Sequence, residues 1–165
     1  YMSPIIVLTG PAAAGKNTIA NLYAKKQKKG TDIDADLVRW MYRQPHVAPW
    51  ENNEGIRQLE LGSKHVALLS RAFHEEGCNV IISDVITDTS AKIYKDLLLD
   101  IGVVIVRLLP SWKESIRRLH ERRHTITDEE AKWVYDLQEN LTKFDLSFDN
   151  TNIPAEEIVD KLLII

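Results

Sequence analysis

A chain of 165 residues with 44% hydrophobic content suits one domain, spanning 1–165, with a substantial apolar core. Its formal net charge of −3 and pI of about 6.0 argue against a nucleic-acid binder held by phosphate neutralisation, yet allow one small anionic ligand in a basic cleft. No apolar run approaches the ~20 residues of a membrane span, and a start that leads directly into a strand-like run sets the expectation of no secretory leader.

Tyr1 ahead of Met2 reads as a residue carried over from cloning. Cys78 is the only cysteine, which excludes an internal disulfide or a thiolate metal cluster and predicts a small, semi-buried side chain. Together these features suit a cytoplasmic protein.

In chain order, Ile5-Ile6-Val7-Leu8 is a short apolar run that reads as a buried strand over 5–9. Gly10-Pro11-Ala12-Ala13-Ala14-Gly15-Lys16-Asn17-Thr18 follows, and then a helix over 16–28 with Ile19, Leu22 and Tyr23 on one face. Strand, glycine loop and helix is the order of a phosphate-binding loop. Backbone amides at a helix start lack internal partners and carry the positive end of the dipole. Gly10 and Gly15 let those amides converge on a polyphosphate, small Ala12, Ala13 and Ala14 leave it room, and Lys16 brings a mobile positive charge. Asn17 stands where such a loop carries a metal-ligating hydroxyl, and its amide oxygen is the candidate ligand instead; Thr18 keeps a hydroxyl for the inner phosphates.

A short strand over 31–34 ends in Asp34-Ala35-Asp36, and 36–43 reads as helical. The segment 44–53, with Pro45 and Pro49, should be irregular, and 54–76 a long helix with Ile56, Leu59, Val66, Leu69 and Phe73 at helical spacing. Strand three covers 80–82, a helix 89–100 with Asp88 as its cap, and strand four 103–109. Ser111-Trp112-Lys113-Glu114 and Thr127-Asp128-Glu129-Glu130 have the spacing of capping boxes, the second opening a helix to about 142. Leu146-Ser147-Phe148 is a candidate fifth strand, and Pro154 opens a closing helix. Alternating strands and helices indicate an α/β fold with a mostly parallel sheet.

Ligands of such sheets bind at the carboxyl ends of the strands. Asp36 is therefore a candidate base for an acceptor hydroxyl, with Asp34 as a metal-side or orienting group; a helix cap is the competing role for each. Asp84, closing an apolar strand, fits a magnesium-side or substrate-side carboxylate. Arg39, one turn beyond Asp36, could hold an anionic or polar substrate, and Trp50 is the best candidate to stack on it. Arg118 and Arg122, one turn apart, are favoured over Arg117 and Arg123 for ligand contact.

The phosphate loop, Asp34-Ala35-Asp36, Ile82-Ser83-Asp84-Val85, Arg118-Leu119-His120-Glu121-Arg122 and Asp149-Asn150-Thr151-Asn152-Ile153-Pro154 occur in one order. Over nearly the whole chain this resembles the small phosphate-loop (P-loop, Walker A) kinases: chloramphenicol phosphotransferase, gluconate kinase and shikimate kinase. The resemblance implies a three-layer fold with a five-stranded parallel sheet in the order 2-3-1-4-5, a lid around 122–130 and a substrate-side segment around 37–62. It implies ATP and Mg2+ as cofactors, Asp36 as base, lid arginines at Arg118 and Arg122, and an adenine-contacting loop at Thr151, Asn152, Ile153 and Pro154. The catalytic set is then Lys16, Asp36 and Arg122; Asn17, Asp34 and Asp84 serve the metal; and Asp36, Arg39, Trp50 and Asp84 serve the substrate. Shikimate enzymes carry a glycine cluster after strand three, where this chain has Asp84-Val85-Ile86-Thr87, and the chloramphenicol enzymes match Ile82–Val85 better.

The expected activity is transfer of the ATP γ-phosphate to a hydroxyl of a small metabolite or antibiotic, by a monomer or homodimer with no nucleic-acid or membrane partner. Asn17 supports a different expectation, a nucleotide-binding regulatory module with weak or no transfer.

Overall fold

Strand β1 (Ile5–Thr9) is buried at every position, as a strand covered on both faces of a parallel sheet must be. In the computed structural model, which describes residues 2–165, it pairs in parallel with β3 (Asn79–Ser83) and β4 (Val103–Leu108). β2 (Gly30–Asp34) flanks β3, and β5 (Leu146–Phe148) flanks β4. The resulting five-stranded order β2-β3-β1-β4-β5 is the one the resemblance implied. Tyr1 lies outside the described residues.

Side-chain alternation along β1 divides the core into two layers. Ile5 and Val7 join Ile82, Ile105 and residues of α3 (Asn53–Glu75) and α4 (Asp88–Leu97). Ile6 and Leu8 join Ile81, Val106 and Leu108 on the other face, against α1 (Lys16–Lys26) and α7 (Ala155–Leu162). The short α2 (Ala35–Arg39) follows β2. α5 (Trp112–His120) and α6 (Asp128–Glu139) pack through Leu119 and Ala131 onto Ala13 of the phosphate loop. No described helix is long and apolar enough to cross a membrane.

Several boundaries depart from the sequence reading, each for a local reason. The helix expected over 36–43 stops at Arg39 and continues only as tight turns, Met41 N to Val38 O and Tyr42 N to Arg39 O. Leu37, Trp40 and Met41 are exposed, so no buried face extends that helix. On α3 the inward stripe runs through Leu59, Gly62, Ser63, Val66, Ala67 and Ser70, leaving Leu69 and Phe73 partly exposed on the other side.

Thr87, not Asp88, caps α4 by accepting from Ser90 N. The Asp88 carboxylate instead accepts from Thr142 N and Lys143 N, both at 2.9 Å, and fixes the exit of α6, which ends at Glu139 rather than near 142. The capping box at Thr127 is complete. At Ser111 only half forms: its hydroxyl accepts from Glu114 N, while the Glu114 carboxylate is taken by Arg117 and Arg118. Cys78 is buried.

Candidate functional site

Parallel pairing brings the carboxyl ends of β1, β2 and β3 to one level, since Ser83 stands beside Leu8 and Asp34. The chain leaves β1 through Gly10 and turns into α1 at Gly15, whose φ of 93° is open to glycine and strained for other residues. Ala13 also has positive φ, at 61°. Asn150 holds this loop from the far end of the chain: its buried amide donates to Ala14 O at 2.8 Å.

Lys16 lies along the loop and donates to Gly10 O at 2.9 Å and Pro11 O at 2.8 Å. Burial lowers its pKa from 10.5 to about 8, aided by the nearby Arg122 guanidinium and opposed by Asp84 and Asp34. Asn17 donates through Nδ2 to Asp34 Oδ2 at 3.0 Å. The other Asp34 oxygen accepts from Asp36 N at 2.9 Å and caps α2. Asp34 thus ties α1 to the turn carrying Asp36, and the cap considered in the sequence reading is present together with this tie.

Asp36 is exposed and ion-paired with Arg39 Nη2. The Arg39 stem lies over Gly62 of α3, where an added Cβ would meet Arg39 Cγ and Cδ. Its other end, Nη1, is buried without a hydrogen-bond partner and stands 4.0 Å from Asp84 Oδ1. Asp84 is 2% exposed. Its Oδ2 accepts from Tyr94 OH at 2.8 Å and Ser63 Oγ at 2.9 Å, whereas Oδ1 has no partner. Loss of water pushes the Asp84 pKa up, and Arg39 partly opposes the rise.

These groups open on one continuous cavity of about 1120 Å³. Its wall includes Ala12, Ala13, Ala14, Gly15, Lys16, Asn17 and Thr18 at one end. Asp34, Asp36, Arg39 and Asp84 line the middle. Trp40, Tyr42, Val47, Pro49 and Trp50 form an apolar end. Arg122 and its neighbours up to Ile126 reach the same cavity from the irregular stretch between α5 and α6. Both tryptophans of this end have protein partners: Trp40 stacks on His46 with centroids 3.7 Å apart, and Trp50, the stacking candidate, meets Trp133 edge-on at 6.4 Å.

Other expected residues are held elsewhere. Arg118 is absent from the cavity wall because its guanidinium is used on Glu114 and on the carbonyls of Asn150, at 2.8 Å, and Thr151. Thr151, Asn152, Ile153 and Pro154 also lie off the wall; Thr151 receives Ser111 N, and Ile153 packs on the layer formed by α1 and α7. Gly10 sits against the Leu108 carbonyl, beneath the loop.

Sequence reasoning missed three buried polar residues. Gln58 shapes the irregular segment by donating to Pro45 O at 2.8 Å and accepting from Val47 N at 3.0 Å. Gln138 bonds both Thr9 and Ile86 O, and Ile86 N reaches Thr9 Oγ1, so three elements meet at the base of the site. Asn150 is the third. A polar side chain at a core-facing helical position was the available signal for Gln58 and Gln138; Asn150 had none.

No family model and no curated protein matches the chain. Solved structures do. An unliganded sugar kinase from a Janibacter species superposes with a TM-score of 0.72 at 16% identity, covering 98% of this chain and 93% of that one. The tunicamycin resistance protein of Deinococcus radiodurans gives 0.69 at 15% identity, covering 98% and 94%. Shikimate kinase from Acinetobacter baumannii in complex with shikimate gives 0.63 at 17% identity, covering 97% and 90%. With the strand order, the phosphate loop and these superpositions together, the chain has the fold of the phosphate-loop small-molecule kinases.

Proposed function

We propose that the protein is an ATP-dependent phosphotransferase acting on a hydroxyl of a small molecule. The observation that carries this reading is the single cavity shared by the phosphate loop, Asp36 and Arg122, roomy enough for two ligands end to end. In this reading the loop amides and Lys16 hold the terminal phosphates. The exposed Asp36 carboxylate accepts the proton of the acceptor hydroxyl as its oxygen attacks the γ-phosphorus, and the bond from that phosphorus to the β-phosphate oxygen breaks to release ADP. Arg122, reaching in from the stretch between α5 and α6, neutralises charge on the transferring group, and that stretch acts as a lid that excludes water.

The residues fit a magnesium ion carried by the nucleotide. Asn17 uses its nitrogen on Asp34, which leaves its carbonyl oxygen as a hard donor, and magnesium takes few protein ligands beside phosphate and water. Asn17, with Asp34 beside it, would hold the ion, whose charge would offset that of the phosphates. Asn17 therefore agrees with phosphotransfer and does not by itself favour the regulatory reading. Thr151 to Pro154 and Arg118 would border the base of the nucleotide, outside the cavity wall. The apolar end formed by Trp40, Tyr42, Pro49 and Trp50 favours an acceptor with an apolar body, and the supply of ATP favours a cytoplasmic setting.

Asp36→Asn tests the mechanism on any acceptor that yields phosphorylated product. Turnover should fall ~100-fold or more while ATP affinity stays within about twofold. Unchanged turnover would remove Asp36 from the chemistry.

A further inference from the structure

Helix α3 has a second apolar face, turned away from the core. Its inward stripe packs on the sheet. α2 flanks it on one side, where the Arg39 stem crosses Gly62. α4 flanks it on the other, where Arg71 reaches Leu97 O and Glu60 receives the Thr87 hydroxyl. On the outward side Leu68 is 53% exposed, Leu69 39% and Phe73 38%, and Ala72 is exposed among them. Leu68 and Ala72 stand one turn apart on the outermost line of the helix. Neighbouring apolar side chains on one surface helix make a patch, unlike singly scattered ones, and patches mark docking surfaces.

Charge on this face is divided along the helix. Lys64 and His65 precede Leu68 by one turn, and Glu75 and Glu76 follow Ala72 by one turn. All four are exposed. Among the described residues Lys64, His65 and Glu76 enter no ion pair, and Glu75 meets only Arg71, at 3.9 Å, whose guanidinium is committed to Asp100. On a helical spacing Lys64 and Glu75 fall on one flank of the Leu68–Ala72 line, and His65 and Glu76 on the other.

We infer that this face is the seam of a reversible homodimer, with α3 of one protomer lying antiparallel on α3 of its partner about a two-fold axis beside Ser70. Such an axis brings like flanks together and reverses the helix direction. Lys64 then faces Glu75 of the partner subunit, His65 faces Glu76 of the partner subunit, and Leu68 sits on Ala72 of the partner subunit. Each contact occurs twice. Parallel pairing would instead set lysine on lysine and glutamate on glutamate, so the charges select the antiparallel register. The overlap from Lys64 to Glu76 is roughly 20 Å of helix. That places the seam at the small end of specific interfaces, with a dissociation constant of about 1–100 µM. α3 ends at Glu75, and Gly77, with φ of 82°, turns the chain away. The partner's helix therefore stops short of Leu61 at the cavity wall, and the cavity stays open in the dimer. The inference does not depend on the phosphotransferase reading.

The test is sedimentation equilibrium of the full chain from about 1 to 500 µM, a span chosen to bracket that constant. The wild type should pass from monomer to dimer across this range. Leu68→Glu, which puts a charge in the middle of the seam, should weaken association at least about tenfold. Lys64→Glu sets glutamate against glutamate at both ends and should weaken it by about tenfold; adding Glu75→Lys to the same chain restores opposite charges and should return association to within about threefold of the wild type. All three side chains are exposed, so thermal unfolding of the variants as dilute monomers should match the wild type. A wild type that stays monomeric at the highest concentration, an association that survives Leu68→Glu, or a double variant as weak as Lys64→Glu alone would each overturn the inference.

Discussion

Lys16→Met separates what Lys16 costs the fold from what it gives the site. The fall in its pKa from 10.5 to about 8 corresponds to roughly 3 kcal/mol of destabilisation at neutral pH, an upper figure because Lys16 keeps some contact with solvent that screens its charge. The folded chain gives up this proton near pH 8 and the unfolded chain near 10.5, so between those values the unfolded state binds more protons and stability rises with pH. The penalty is complete below about 8 and gone above about 10.5. Methionine carries no such penalty at any pH. Urea unfolding of both proteins at pH 7, 9 and 10.5 should show the wild type losing ground to the variant at pH 7 and regaining about 2–3 kcal/mol relative to it by pH 10.5. Other lysines and tyrosines titrate in both proteins and drop out of the difference. A difference that does not change with pH would refute the assignment of a buried, proton-losing Lys16. ATP binding, measured in parallel, should fall at least ~100-fold in the variant.

Two further outcomes follow from the packing. Gln138→Leu strands Ile86 O and removes a partner from the Thr9 hydroxyl in a sealed interior; thermal unfolding should report a loss of about 2–3 kcal/mol, and a loss under about 0.5 would remove Gln138 as the joint of β1, α6 and the Ile86 turn. Gly62→Ala places a methyl where the Arg39 stem runs, so acceptor affinity should drop about tenfold or more while ATP affinity holds; equal loss of both would mean that α3, and not Arg39 alone, had moved.

The sheet was legible because its signals are local. Ile5-Ile6-Val7-Leu8 and Val80-Ile81-Ile82 announce buried strands, and each is followed by the loop that builds the cavity. The phosphate loop was legible for the same reason, with its glycines, lysine and helix lying within nine residues from Gly10 to Thr18. The carboxylates could be placed at strand ends, but their partners could not. Asn17 meets Asp34 across 17 positions, Ser63 meets Asp84 across 21, and Arg118 reaches Asn150 across 32, distances over which no periodic pattern operates. Arg118 and Arg122 looked alike on a helical spacing, yet the first is spent on Glu114 and two carbonyls while the second faces the cavity. The helix expected beyond Arg39 misled because Leu37, Trp40 and Met41 look like a core face, and the fold leaves all three exposed, Trp40 and Met41 on the cavity wall.

The bond from Asn150 to Ala14 joins positions 136 residues apart. On the ribosome Ala14 emerges 136 residues before its partner Asn150, so the bond between them cannot form until the whole intervening stretch has been made. A nascent chain stalled before Asn150 has strands β1 to β5 available and lacks the clasp on the loop. A contact of such long range forms slowly, which places this clasp on the loop among the late events when the free protein refolds.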